Sequence, residues 1–343
     1  MPGPRIAAIG TAVPAHRFTQ PEALRLAGYG DRLRRGFFEH SGIEARHLAI
    51  DPEHFRPDET VDQLNERFAA ASRALAAEAA RTALDRAGRG PDEIDFLATT
   101  TCTGRLCPSL DAILIRDLDM NRRMQRVHVG DTGCASGIVA LQQACNHLAA
   151  FPGHRALVVA VEICSATYYL DDDPETAVAN AIFAAGAGAV ILEIGGGGVG
   201  PEVVVHRTRI ESEHIGDMGF TYPRGRPRIL LSRDIRQIAA RMIRDLAGEI
   251  LDERRLRQED VRFWVIHSAG RRVLEEASRL LGFGDGELRF SRHVLRNFGN
   301  MSSATVFFVL NEVLGSGEPR AGDWGLMIAL GPGFAAEGAL LRW

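Results

Sequence analysis

The sequence contains no lysine, so all 40 of its Lys/Arg positions are arginine. That absence excludes a Schiff-base lysine, a Walker lysine and a kinase lysine. Cysteine is sparse: five residues, at 102, 107, 134, 145 and 164, with no C-x-x-C pair among them. An odd set of unpaired thiols fits neither a disulfide framework nor a zinc site, and points to a reducing, cytoplasmic location with no metal. No apolar run approaches the roughly 20 residues that cross a bilayer, and the start Met-Pro-Gly-Pro-Arg lacks a signal peptide's apolar stretch. The formal net charge is −4 and no basic run is long, which argues against nucleic acid or an anionic membrane as partner. Nor does a G-x-G-x-x-G follow the first strand-like segment, so a dinucleotide site has little support.

What is present is a long apolar-rich chain: 343 residues, 45% hydrophobic, enough for a large core in two halves of ordinary domain size. Strand-like runs at Arg5–Gly10, Phe96–Thr101, Arg126–Val129, Ala156–Val161 and Ala187–Ile194 alternate with helical stretches at Glu66–Ala87, Leu110–Leu118 and Ile138–Ala149. This alternation predicts an α/β fold with a parallel sheet. The run Gly195-Gly196-Gly197-Gly198 divides the chain into residues 1–195 and 196–343. After it the order partly recurs, with strands at Val203–Thr208, Phe263–Ile266, Leu326–Leu330 and near Ala335–Leu341, and helices at Ile235–Ile250 and Arg271–Leu281. The two halves show no residue-level repeat.

Cys134, in Gly130-Asp131-Thr132-Gly133-Cys134-Ala135-Ser136-Gly137, falls between a strand-like run and a helical run. Helix N-terminal N–H groups and the macrodipole favour a thiolate, so that place suits a nucleophile; equally, a free cysteine is often only a small buried hydrophobe. A nucleophile needs a base and an activating polar group. His267 closes the apolar strand Phe263-Trp264-Val265-Ile266, and Asn300 stands in Phe298-Gly299-Asn300-Met301-Ser302-Ser303-Ala304 before another apolar helix. Each lies at the mouth of a strand or turn, where open sheets present their chemistry.

With Ile9-Gly10-Thr11-Ala12-Val13-Pro14, Gln20, Thr99-Thr100-Thr101-Cys102-Thr103-Gly104 and Gly331-Pro332-Gly333-Phe334-Ala335-Ala336-Glu337, these segments resemble, nearly end to end, the type III polyketide synthases, the chalcone-synthase-like condensing enzymes. The resemblance implies a thiolase-like fold of duplicated αβαβα layers, a homodimer, and an acyltransferase whose substrates are acyl-CoA and malonyl-CoA and which has no cofactor of its own. It implies Cys134 as acyl carrier, with His267 and Asn300 as donors to the enolate left by malonyl decarboxylation. It further implies Phe183 as a gate, Cys102, Thr167 and Ser302 as cavity-lining positions, and Cys107 as the residue reaching across the dimer. Arg32, Arg34, Arg35 and His40 lie where the family places cations for coenzyme A phosphates, with a solvated helix face as the other reading; Arg271 and Arg272, directly after the His267 turn, are further candidates. The chain departs from the family pattern at Phe183-Ala184-Ala185-Gly186-Ala187, where a buried aspartate is missing, at His267-Ser268-Ala269-Gly270, and at Ala329-Leu330. The expected activity is iterative decarboxylative condensation giving a small aromatic or pyrone product. A ketosynthase-III-like single condensation or acyl transfer, and a non-catalytic acyl-CoA-binding scaffold, are the alternatives.

Overall fold

The computed structural model describes residues 3–56, 58–195, 200–232 and 234–343. The strands are β1 (Arg5–Ala12), β2 (Arg17–Thr19), β3 (Ala45–His47), β4 (Phe96–Thr101), β5 (Gln125–Gly130), β6 (Arg155–Ile163), β7 (Ala185–Glu193), β8 (Glu202–Ile210), β9 (Met218–Thr221), β10 (Arg228–Leu231), β11 (Val261–Ile266), β12 (Trp324–Gly331) and β13 (Ala335–Arg342). The helices are α1 (Gln20–Ala27), α2 (Arg32–Glu39), α3 (Val61–Ala87), α4 (Leu110–Asp117), α5 (Ser136–Ala150), α6 (Pro174–Ile182), α7 (Ile235–Glu253), α8 (Arg271–Leu281), α9 (Arg289–Phe298) and α10 (Thr305–Gly315).

Nine strands join in the order β11-β12-β13-β8-β1-β7-β6-β4-β5. Outward from the centre the pairing pattern occurs twice. β1–β7 and β8–β13 are antiparallel, as are β7–β6 and β13–β12, whereas β6–β4 and β12–β11 are parallel. β5 continues the first series beyond β4 and has no counterpart in the second. The two series meet through one residue pair, Arg5 and Glu202, and face each other across α5 and α10. Ala98 and Val158 from one series share a core with Val265, Met327 and Ala339 from the other, and Leu141, Phe307 and Leu310 of those helices fill it. On the far side of the first series, Leu97, Leu157 and Val159 pack on α3 and α4; beyond the second, Trp264, Leu326 and Ile328 pack on α7 and α8. The result is five layers, αβαβα.

Successive side chains of a strand point to opposite faces. Both faces are covered here, so β4, the middle of β6 and Phe263–Ile266 of β11 are buried without alternation. The expected helix at Glu66–Ala87 starts earlier, at Val61, because Thr60 and Gln63 form a capping box there. The β9–β10 hairpin and the β2–β3 pair, whose strands are three or four residues long, gave no periodic signal. A Cβ on Gly10 would lie 2.2 Å from the Ala79 carbonyl oxygen, so only glycine lets the Ala-rich face of α3 rest directly on β1. The Gly196-Gly197-Gly198 part of the expected dividing run lies outside the described residues.

Candidate active site

Cys134, His267 and Cys102 follow the C-terminal ends of the parallel strands β5, β11 and β4, the edge at which open α/β sheets present reactive groups. Cys134 occupies a short 3₁₀ turn, Gly133–Ala135, that leads straight into α5, and the Ser136 hydroxyl donates back to Gly133 O at 2.7 Å. His267 is held by its own N–H donating to Ile328 O of β12 at 2.8 Å. The altered turn after it is braced twice: Ser268 Oγ donates to Ser291 O, and Ser291 Oγ to Ile266 O, each at 2.7 Å.

Asn300 links three segments. Its N–H donates to Ile182 O at 2.9 Å, its carbonyl accepts from Ala184 N at 2.8 Å, and it forms a bridge with Phe183. One amide proton goes to Ala269 O in the His267 turn at 3.1 Å, while Oδ1 accepts the Ser302 N–H at 2.8 Å. That last bond supports Ser302 in the left-handed region at φ 48°, a costly conformation for a residue with a side chain. Among the described residues its second amide proton has no hydrogen-bond partner, and Asn300 lines the cavity.

Cys134, His267, Asn300 and Phe183 open onto one cavity of about 460 Å³, lined also by apolar residues including Phe37, Ile182 and Phe334. The three candidate catalytic residues are 9%, 1% and 2% exposed. At its outer part the cavity meets His40, Arg271 and Arg272, all exposed, together with half-buried Arg236. The expected cations thus separate into groups. His40 and Arg272 reach the cavity; Arg34 is tied to Asp31 and Asp172, Arg35 is 3.5 Å from Glu39, and Arg32 is exposed on the first turn of α2. Cys102, Thr167 and Ser302 are not part of this lining. Cys102 Sγ lies 3.4 Å from Ser302 Oγ, and the Thr167 hydroxyl donates to Cys164 O at 2.8 Å. Cys107 is exposed.

Sequence reading missed Glu162. This carboxylate is fully buried near the end of β6 and accepts from Cys102 N (3.1 Å), Thr103 Oγ1 (2.9 Å) and Ser303 Oγ, with Cys102 Sγ at 3.4 Å. Burial raises its pKa. The available signal was a single charge inside the apolar run Val158-Val159-Ala160-Val161-Glu162-Ile163; buried carboxylates are rare unless paired or hydrogen-bonded.

Electrostatically, the resting site differs from the helix-terminus expectation. Burial pushes the Cys134 thiol up to about 12, with the Ser302 side chain acting in the opposite direction, and burial drives His267 down to about 3. Desolvation of a fully enclosed group outweighs the field of one helix end. Neither ring nitrogen of His267 has a hydrogen-bond partner among the described residues. The site therefore rests as thiol and neutral imidazole. Either charge alone is costly in so dry a place; moving one proton from sulfur to nitrogen creates both together, and their attraction offsets the cost.

A stability prediction follows. His206 likewise has no partner for its ring nitrogens among the described residues, and burial lowers its pKa to about 4. Unfolded, both imidazoles titrate near 6.5, so between about pH 6.5 and pH 3–4 the unfolded chain binds more protons. Stability present above that window is lost as pH falls through it, by about 1.4 kcal/mol per pKa unit. Glu162 and Glu337, whose pKa values burial raises, have the opposite sign and offset part of the loss. Scanning calorimetry should show Tm dropping steeply from pH 6.5 to 4, and His206→Leu should flatten the slope. A slope unchanged by His206→Leu would refute the assignment of His206 as neutral.

The chain matches the family described as FAE1/Type III polyketide synthase-like protein over residues 33–195, and the chalcone and stilbene synthases, C-terminal domain, over residues 212–343. The 3,5-dihydroxyphenylacetyl-CoA synthase of Streptomyces toyocaensis is 33% identical, the alignment covering 100% of this chain and 90% of that protein. A 1,3,6,8-tetrahydroxynaphthalene synthase of Streptomyces peucetius subsp. caesius is also 33% identical, over 99% of this chain and 93% of the relative. Among solved structures, the 1,3,6,8-tetrahydroxynaphthalene synthase of Streptomyces coelicolor A3(2) superimposes with a TM-score of 0.92 at 26% identity, covering 99% of both chains. PKS-I from the brown alga Ectocarpus siliculosus gives a TM-score of 0.92 at 28% identity, covering 100% of this chain and 98% of the other.

Proposed function

Because the chain belongs to the type III polyketide synthase family, a thiolase-fold group of decarboxylative condensing enzymes, we propose that Cys134, His267 and Asn300 are the residues with which it condenses malonyl-CoA. The enzyme is an acyltransferase acting on coenzyme A thioesters and giving an aromatic or pyrone polyketide. The observation that carries the residue assignment is the shared cavity: one enclosed space meets a thiol, an imidazole and an amide at its buried part and arginines at its exposed part.

Loading begins when His267 takes the Cys134 proton. The thiolate attacks the thioester carbonyl, the C–S bond to coenzyme A breaks, and the leaving thiolate takes the proton back from the imidazolium. Malonyl-CoA then occupies the emptied cavity. Its thioester oxygen faces His267 N–H and the spare Asn300 N–H, which stabilise the enolate as carbon dioxide departs. The enolate carbon attacks the Cys134 acyl group, forming a C–C bond and releasing the Cys134 thiolate, and the lengthened chain leaves on coenzyme A for reloading. Loss of carbon dioxide makes the carbanion, so no carboxylate base is needed.

Arg272 and Arg236, at the cavity's outer part, suit the coenzyme A phosphates, since a guanidinium fork fits phosphate geometry. We assign residues 1–195 to a half that carries the nucleophile and 196–343 to a half that carries its two partners. β5, half-exposed at the end of the nine-stranded sheet, leaves an open edge of the kind that pairs with another strand. A second copy, giving a homodimer, is our reading of what covers it, and exposed Cys107 is our candidate for the residue that reaches across. Five free thiols fit a reducing, cytoplasmic setting.

The test is incubation of purified protein with malonyl-CoA, alone and with a panel of acyl-CoA starters, following thiol release and product mass. Products carrying several acetate units support iterative synthesis. A single extension, or transfer without carbon dioxide loss, would move the assignment to a ketosynthase-III-like reaction, and coenzyme A binding without turnover would leave a scaffold.

A further inference from the structure

Arg46 of β3 is 0% exposed, and among the described residues no carboxylate lies within ion-pair distance of it. Burial lowers its pKa only to about 10, so it is a cation at neutral pH. A buried, unpaired charge is costly, and an apolar side chain of similar size is often as stable or more so in such a place. Its partners show what the guanidinium does that an apolar chain cannot.

Arg46 donates through one terminal nitrogen to Phe183 O at 2.6 Å and through the other to Asn180 O. Asn180 lies in the last turn of α6, and Phe183 is the extended residue that ends the helix. The two carbonyls between them are also held from outside the helix: Gln20 Nε2 of α1 donates to Ala181 O at 2.8 Å, and the Asn300 N–H donates to Ile182 O at 2.9 Å. The last carbonyls of a helix have no partner of their own and carry its negative dipole end. That end takes the place of a carboxylate opposite Arg46, and the Phe38 ring, 5.8 Å from the guanidinium, adds a second attraction. Only a planar fork takes two carbonyls at once in a fixed orientation. The seam is tight: Gly299 sits at φ 72°, and a Cβ there would lie 3.1 Å from Ile182 O and 3.2 Å from Arg46 Cβ.

We infer that Arg46 is a positioning residue for the condensation step, fixing the end of α6 so that Phe183 and Asn300 stand in register beside the His267 turn. It touches neither Cys134 nor substrate and acts through the main chain on the side where Asn300 is anchored. This rests on the reading of Asn300 as a decarboxylation donor. Since Cys134 and His267 are positioned by other elements, losing the clamp should impair decarboxylation and coupling while sparing acyl loading.

The experiment compares wild type, Arg46→Lys, Arg46→Met and Asn300→Ala in three readouts: the rate of Cys134 acylation by an acyl-CoA, by intact mass; the rate of malonyl-CoA decarboxylation; and acetyl-CoA released per condensed product. A misplacement of about 1 Å costs on the order of 10²-fold. The expectation for Arg46→Met is a decarboxylation rate down roughly 10- to 100-fold, acylation within about threefold, and more acetyl-CoA escaping uncondensed. Arg46→Lys, with one ammonium for two carbonyls, should fall between. Equal losses in acylation and decarboxylation would mark a general structural role and overturn the inference, as would no loss in either. If Arg46→Met does not fold, the same ratio in Arg46→Lys decides. Asn300→Ala separates the two levels. Decarboxylation unaffected there overturns the catalytic reading itself, whereas decarboxylation lost there but kept in the folded Arg46 variants overturns the inference alone.

Discussion

Cys134→Ala should lower product formation from malonyl-CoA by roughly 10⁴-fold or more, the scale on which removing the nucleophile of a covalent mechanism acts, and should abolish the acyl adduct. The buried thiol has no role that alanine would leave conspicuously unfilled: it is 9% exposed and lies beside Ala135 and the start of α5. The variant should therefore fold normally, and its loss should be chemical. Intact mass after incubation with an acyl-CoA, with the adduct mapped by peptide digestion, separates the outcomes. Adduct and product retained in Cys134→Ala would end the assignment of Cys134 as acyl carrier. Simple alkylation is a poorer probe, since Cys107 is exposed and Cys134 rests protonated, its pKa raised to about 12. Reagents that attack thiolates will mark the accessible thiol first, so labelling experiments require a Cys107→Ser background. Cys134→Ser should lie close to alanine, because a hydroxyl is harder still to deprotonate in a dry cavity, with a small residual rate.

How far the sequence revealed the site depended on whether each residue's role was local. Cys134, His267 and Asn300 stand at junctions between an apolar run and a turn, and such junctions are visible because the periodicity changes there. Both-face burial made β4, β6 and β11 legible for the same reason, while the β9–β10 hairpin, with four residues per strand, offered too little pattern. Protonation was not local. The helix N-terminus argument for a lowered thiol pKa is sound for an exposed cysteine, but enclosure of Cys134 and His267 by Phe183, Phe334, Leu330 and the β12 edge is a tertiary fact, and desolvation dominates. Glu162 and Arg46 were obscure in the same way. Each is a single charge in a short segment, and its meaning arises only when Thr103 and Ser303, or the end of α6, are folded around it. Among the basic residues of α2, residue type was informative about charge but not about direction: Arg34 is turned toward Asp31 and Asp172, so the arginines meeting the cavity come from α7 and α8 instead.

Asn300 offers the sharpest separation of steps. Loading of Cys134 needs a base for the thiol and an exit for coenzyme A; decarboxylation additionally needs donors for an enolate oxygen. Asn300→Ala should therefore reduce malonyl-CoA decarboxylation by about 10²–10³-fold, the usual cost of one oxyanion donor, while acylation of Cys134 changes by no more than about threefold on the same argument, because that donor is unused there. Alanine also removes Oδ1, which accepts the Ser302 N–H and supports its φ of 48°, so a relaxed loop is a second source of loss. Asn300→Asp removes that ambiguity. It keeps an oxygen for Ser302 N–H but has no amide proton, and it sets a carboxylate against Ala269 O, which the amide now contacts at 3.1 Å. If donation to the enolate is the role, aspartate should be at least as damaging to decarboxylation as alanine, since a negative group faces a developing negative oxygen. If Asn300 only supports the loop, aspartate should restore much of the activity. Its effect on loading should have the opposite sign, because a nearby carboxylate favours the imidazolium that His267, held near 3 by burial, must become. His267→Ala, by contrast, should depress both steps together, as the residue common to proton transfer from sulfur and donation to the enolate.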